Sequence, residues 1–141
     1  MVGWSFDDPE HYARPYPPEI LISQFRKVVA DWEMGCKLLE SAANTPAAEE
    51  LLLFAKVALN HFKADILHTE YVLAKENLPE SKDEMRKIFE KERELCLELL
   101  ELVPKSAFIA YETSNHYFYT ERDVIEKLVQ LDGLTAELEA L

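Results

Sequence analysis

The chain has 141 residues, 48% hydrophobic and 30% charged, with a formal net charge of −12 at pH 7. That is one domain with enough apolar material for a core, and its charge disfavours nucleic acid and anionic membrane surfaces as partners. Its three glycines, Gly3, Gly35 and Gly133, argue against a Gly-rich phosphate loop and a turn-rich all-β fold, and no apolar run approaches the roughly 20 residues that span a bilayer.

Residues 1–18 read as an extended lead-in. Pro9, Pro15, Pro17 and Pro18 break helices, and Trp4, Phe6, Tyr12 and Tyr16 are apolar enough to lie on a surface. The segment has neither the basic start nor the apolar stretch of a secretory signal. The chain as it stands therefore reads as cytoplasmic, unless it is a piece of a secreted parent.

Residues 19–141 read as a single helical domain. The first helix is expected from Pro18 to about Ala43, with Leu21, Phe25, Val28, Trp32, Cys36 and Leu39 on one face. The second is expected from Pro46 to about Glu76, with Thr45 as N-cap and Pro46 at the first helical position. Its stripe is Leu51, Phe54, Ala55, Ala58, Phe62, Ile66, Thr69 and Leu73. The third is expected over about Lys82 to Val103, with Ser81 and Glu84 at capping-box spacing. Met85, Ile88, Phe89, Leu95, Cys96, Leu99, Leu102 and Val103 face inward, and Pro104 ends the helix. A shorter helix starts near Glu121 with Thr120 as N-cap, carries Val124, Ile125, Leu128 and Leu131, and is expected to break at Gly133. Short connections imply antiparallel neighbours. The expected fold is all-α: an antiparallel three-helix up-down-up core closed by the C-terminal helix. Cys36 and Cys96 fall in apolar stretches and read as buried thiols of a reducing compartment; a disulfide between neighbouring helices stays open.

Two groups of residues could carry chemistry. His61, Asp65 and His68 share one face of the second helix at offsets of four and three, within reach of a common ion. An independent metal-binding bundle is therefore an alternative reading. Against it, the chain has no Glu-x-x-His, and the trio sits at the edge of the apolar stripe, where solvated boundary residues are the simpler account.

The other group lies in Tyr111-Glu-Thr-Ser-Asn-His-Tyr-Phe-Tyr-Thr120. Glu112 and His116 would be adjacent in a helical backbone, with Ser114 and Asn115 beside them, but no nucleophile or partner carboxylate accompanies them. Asn115 and His116 could instead hold an irregular backbone through its amides and carbonyls. The aromatics Phe108, Tyr111, Tyr117, Phe118 and Tyr119 suit a protein interface or stacking on sugar rings. Consecutive rings at 117, 118 and 119 cannot all enter one core, so at least one is expected to be exposed. The same face could serve a stand-alone protein-interaction scaffold.

The stretch from Phe108 to Lys127, with its aromatic-Glu-x-Ser-Asn-His-Tyr-aromatic-Tyr element before the last helix, resembles the C-terminal helical region of large bacterial glycoside-hydrolase-like proteins. Gly3-Trp4 and Pro15-Tyr-Pro-Pro-Glu19 resemble the junction leaving the (β/α)-barrel of such proteins. The resemblance implies a non-catalytic accessory domain, with the cleaving carboxylates on a barrel that is the partner domain of the same parent. Tyr111, Glu112, Asn115, His116, Tyr117 and Tyr119 would border the substrate cleft or the interface, carbohydrate would be the ligand, and no cofactor is implied.

Overall fold

The computed structural model describes residues 16–42, 44–112 and 117–141, with only the backbone of 111, 112 and 117. Trp4, Tyr12, Ser114, Asn115 and His116, and the side chains of Tyr111, Glu112 and Tyr117, lie outside the description. Among the described residues lie four helices: α1 (Pro18–Ala42), α2 (Pro46–Lys75), α3 (Lys82–Leu102) and α4 (Glu121–Ala140). A 3₁₀ turn, Val103–Lys105, follows α3, and a two-stranded ribbon, β1 (Tyr111–Glu112) with β2 (Tyr117–Phe118), precedes α4. The architecture is the expected all-α up-down-up bundle with a fourth helix, and each helix packs chiefly on its neighbour in sequence.

The register of the first hairpin is written in charge. Arg26, Glu33 and Glu40 recur every seven residues along α1 and meet Glu70, Lys63 and Lys56, also seven apart, on α2. The three pairs close at 2.6, 2.8 and 2.8 Å. Each is solvent-exposed and contributes little by itself. Together they match only in one antiparallel alignment, since a slip would set unlike partners opposite one another. Beside the ladder, Trp32 stacks edge-on against Phe62 at 5.2 Å and its Nε1 donates to the Ala55 carbonyl at 2.7 Å. Trp32 is a seam residue, 38% exposed, and Val28 is similarly open.

Helix α2 is the centre of the molecule and has two apolar faces. Of the expected stripe, Ala55 and Phe62 meet Trp32 of α1, while Phe54 packs against the main core. A second row, Leu53, Val57, Asn60, Ala64, Leu67, Tyr71 and Ala74, keeps a three-four spacing and serves α3. The main core joins that row to Met85, Ile88, Phe89, Cys96, Leu99 and Leu102 of α3 and to Val124, Leu131 and Leu138 of α4. Leu51, assigned to the stripe, is 55% exposed and lies in the first turns of α2, close to the connection from α1.

Caps behave unequally. Thr45 Oγ1 accepts from the Ala48 amide at 3.3 Å, as expected. The Asp123 carboxylate accepts from both the amide and the hydroxyl of Thr120, at 2.6 and 2.7 Å, which holds its pKa below the usual carboxylate value. Ser81 does not cap α3; its hydroxyl turns back and donates to the Ala74 carbonyl at the end of α2, at 2.5 Å. Gly133 does not break α4, which runs on to Ala140. Leu131 and Leu138, both buried, anchor the two sides of that glycine and outweigh its helix propensity of about 1 kcal/mol.

Candidate functional site

Residues 106–112 and 117–120 form a tethered ribbon. Pro104 ends the helical ladder, and the Ser106 carbonyl and hydroxyl then accept from the amides of Ile109 and Phe108. Ala110 adopts φ 66°, a left-handed conformation that an L side chain resists. The chain reverses through β1 and β2, with Tyr111 opposite Phe118 and Glu112 opposite Tyr117. Because Glu112 lies in an extended strand, the helical adjacency with His116 that the spacing allowed does not arise from the backbone at that residue.

At each end of this ribbon an anchored side chain sits next to a displayed one. Ile109 is buried, and Tyr119 is half-buried with its hydroxyl 2.9 Å from His61 Nε2 on α2. Their neighbours Phe108 and Phe118 are 73% and 70% exposed. So at least one of the three consecutive aromatic positions is open to solvent, and two phenylalanines stand out on either side of the hairpin. Tyr16, where the lead-in enters the described chain, is also exposed.

The titratable groups lie in a groove between α2 and α4, floored by α3. It encloses about 410 Å³ and is lined by His61, Asp65, His68, Tyr71, Glu92 and Lys127 among others. A second depression of about 230 Å³ shares His61, Ala64, Glu92 and Lys127 and reaches Cys96 and Tyr119. Glu92 is buried, with Oε1 held by the Lys127 ammonium and Oε2 without a partner. His61 and Asp65 keep a solvent-facing side, yet the protein around them acts on both. Burial lowers the His61 pKa, with Lys127 pushing the same way and Asp65 and Glu92 opposing. Burial raises the Asp65 carboxyl, helped by Glu92 and opposed by His61 and His68. The Tyr119 phenol is pushed up to about 12 by burial.

These groups are mostly spent on one another. His61 engages Tyr119, Glu92 engages Lys127, and His68 lies beside Tyr71, with ring centroids 6.5 Å apart. Among the described residues no group of three or more His, Cys, Asp or Glu side chains converges to hold a metal ion. His61, Asp65 and His68 therefore share a groove wall without forming a ligand set. Both cysteines are free and buried, and burial raises their thiols, which keeps them from acting as thiolate nucleophiles near neutral pH. A further depression, about 550 Å³ between the start of α2 and the end of α3, lies away from all of these groups.

Sequence reasoning missed Asn60, Glu92 and Lys127. Asn60 and Glu92 were readable as single polar residues inside otherwise apolar three-four rows; Lys127 gives no signal without the fold. Compared with known proteins, no family model, no curated protein and no solved structure matches the chain. No helix of the described residues is long and apolar enough to cross a membrane.

Proposed function

We propose that the chain is a non-catalytic helical accessory domain that docks on a second folded unit through the aromatic ribbon between α3 and α4. The observation that carries this reading is the paired exposure of Phe108 and Phe118, each next to an anchored residue, Ile109 and Tyr119. A rigid mount under exposed aromatics suits recognition, because little conformational freedom is lost on contact. Burying each ring offers roughly 1.5–3 kcal/mol of apolar transfer. Within the groove His61 is engaged by Tyr119 and one Glu92 oxygen by Lys127, which fits a supporting role better than turnover.

The finer part of the proposal comes from the sequence resemblance. The second unit is a catalytic (β/α)-barrel of a carbohydrate-active parent, and Tyr111, Glu112, Asn115, His116, Tyr117 and Tyr119 border its cleft. The test is to translate the reading frame upstream of Met1, express what it encodes, and titrate it calorimetrically with this chain and with its Phe108→Ser/Phe118→Ser variant. Binding weakened at least about tenfold by the variant supports docking through the ribbon. Equal binding by both chains, no strand–helix repeat upstream, or glycoside turnover by this chain alone would sink the proposal.

A further inference from the structure

The face of α1 turned away from α2 carries a pattern that the docking role does not use. The ladder residues Arg26, Glu33 and Glu40, with the buried Ile22 and Cys36, mark the side that meets α2. On the opposite side run Ile20, Gln24, Lys27, Asp31, Met34 and Leu38, all exposed, at alternating steps of four and three. That is the spacing of a coiled-coil seam, which keeps one line of side chains facing a partner helix. Ile20, Met34 and Leu38 are 44%, 60% and 71% exposed, an unusual display for large apolar side chains along one line.

The order along the seam is self-complementary. Its members are placed symmetrically about Val29, so an antiparallel copy sets Ile20 against Leu38, Gln24 against Met34 and Lys27 against Asp31. Opposite charges meet in the middle and apolar residues meet at both ends. A parallel copy in register would instead set Lys27 against Lys27 and Asp31 against Asp31, which is repulsive. The pattern thus selects orientation as well as partner. Lys27 and Asp31 are outside the α1–α2 ladder, and the Lys27 ammonium makes only a long 3.5 Å contact with Gln24 on its own helix.

We infer that α1 pairs with α1 of a second copy of this chain, antiparallel about a two-fold axis near Val29, forming a weak isologous homodimer. The contact runs about 27 Å along the helix. A single helix pair of that length falls at the small end of specific interfaces, so dissociation belongs in the micromolar-to-millimolar range.

Sedimentation of the purified chain over that concentration range reads the equilibrium directly. Lys27→Glu and Asp31→Lys each place like charges opposite one another twice by symmetry, and each should weaken association about tenfold. The double exchange Lys27→Glu/Asp31→Lys restores opposite charges and should restore association to within about threefold of the natural chain. Leu38→Glu should abolish it, with far-UV circular dichroism unchanged because the residue is exposed. A monomer at every concentration, a Leu38→Glu chain that still dimerises, or a double exchange no better than the single ones overturns the inference. If Leu38→Glu weakens only binding to the upstream polypeptide, the seam belongs to that partner and the homodimer is wrong. Loss of binding in the Phe108/Phe118 variant alone leaves this inference untouched, so the two readings fail separately.

Discussion

Asn60 is the buried polar residue on which the α2–α3 packing can be tested most sharply. It is 2% exposed, and its amide nitrogen donates to the Leu95 carbonyl at 2.9 Å and to Glu98 Oε2 at 3.1 Å. Asn60→Ala removes both bonds. The bond to the carbonyl is worth about 1 kcal/mol, and the bond to the carboxylate, charge-assisted but screened because Glu98 is exposed, about another 1 kcal/mol. The expected destabilisation is about 2 kcal/mol. In a domain of this size that lowers Tm by about 6–8 °C and shifts a urea midpoint by about 1 M, both followed by circular dichroism at 222 nm. Asn60→Asp keeps the shape but removes the donor and sets a carboxylate beside Glu98. It should be worse than alanine at neutral pH and should recover as the pH falls and the new carboxyl is protonated. A change under about 0.5 kcal/mol for Asn60→Ala, or an aspartate variant no worse than alanine at pH 7, would refute the assignment of these bonds.

Asp65 gives a pH test with a defined sign. Its folded pKa lies above its ordinary 3.8, so the folded chain binds this proton more tightly than the unfolded one, and stability falls as pH rises through that window. Asp65→Asn should therefore stabilise at pH 7, by less than about 1 kcal/mol since the residue is partly solvated, and the gain should vanish below the ordinary value; urea titrations at the two pH values decide it. Tyr119→Phe removes the hydroxyl held by His61 and should cost about 1 kcal/mol in the same assay, while a neutral result would mean the hydroxyl is equally well hydrated. Ala110→Gly relieves a left-handed alanine and should raise stability by about 0.5–1 kcal/mol; a loss would show that the methyl group packs usefully.

The helices were legible because their signals are local. Proline starts, Thr45 and Thr120 caps and apolar rows give both ends of α1, α2 and α3 and the start of α4 to within one or two residues. What failed to read off was what depends on a second element. Ser81 has the spacing of a cap, yet the Ala74 carbonyl competes for its hydroxyl. Gly133 has the propensity of a breaker, yet the buried leucines around it hold the helix together. His61 and His68 sit on one face of α2, but the partner that engages His61 is a tyrosine nearly sixty positions later, which no spacing rule on one helix reveals. That at least one of the aromatics at 117, 118 and 119 is exposed was readable because alternation along an extended chain is itself local, although which one was not.

Among the described elements helix α1 packs chiefly on α2, and it supplies two buried apolar residues, Ile22 and Cys36. The other three helices share a continuous core. Cooperativity should be divided accordingly: α1 can lift away while α2, α3 and α4 keep their packing, so its amides should exchange with solvent at a lower opening free energy than those of α3. The exposed ion pairs that set its register contribute little affinity to hold it down. Association along the outer seam would then act as a clasp, closing from outside a helix that packs chiefly on α2.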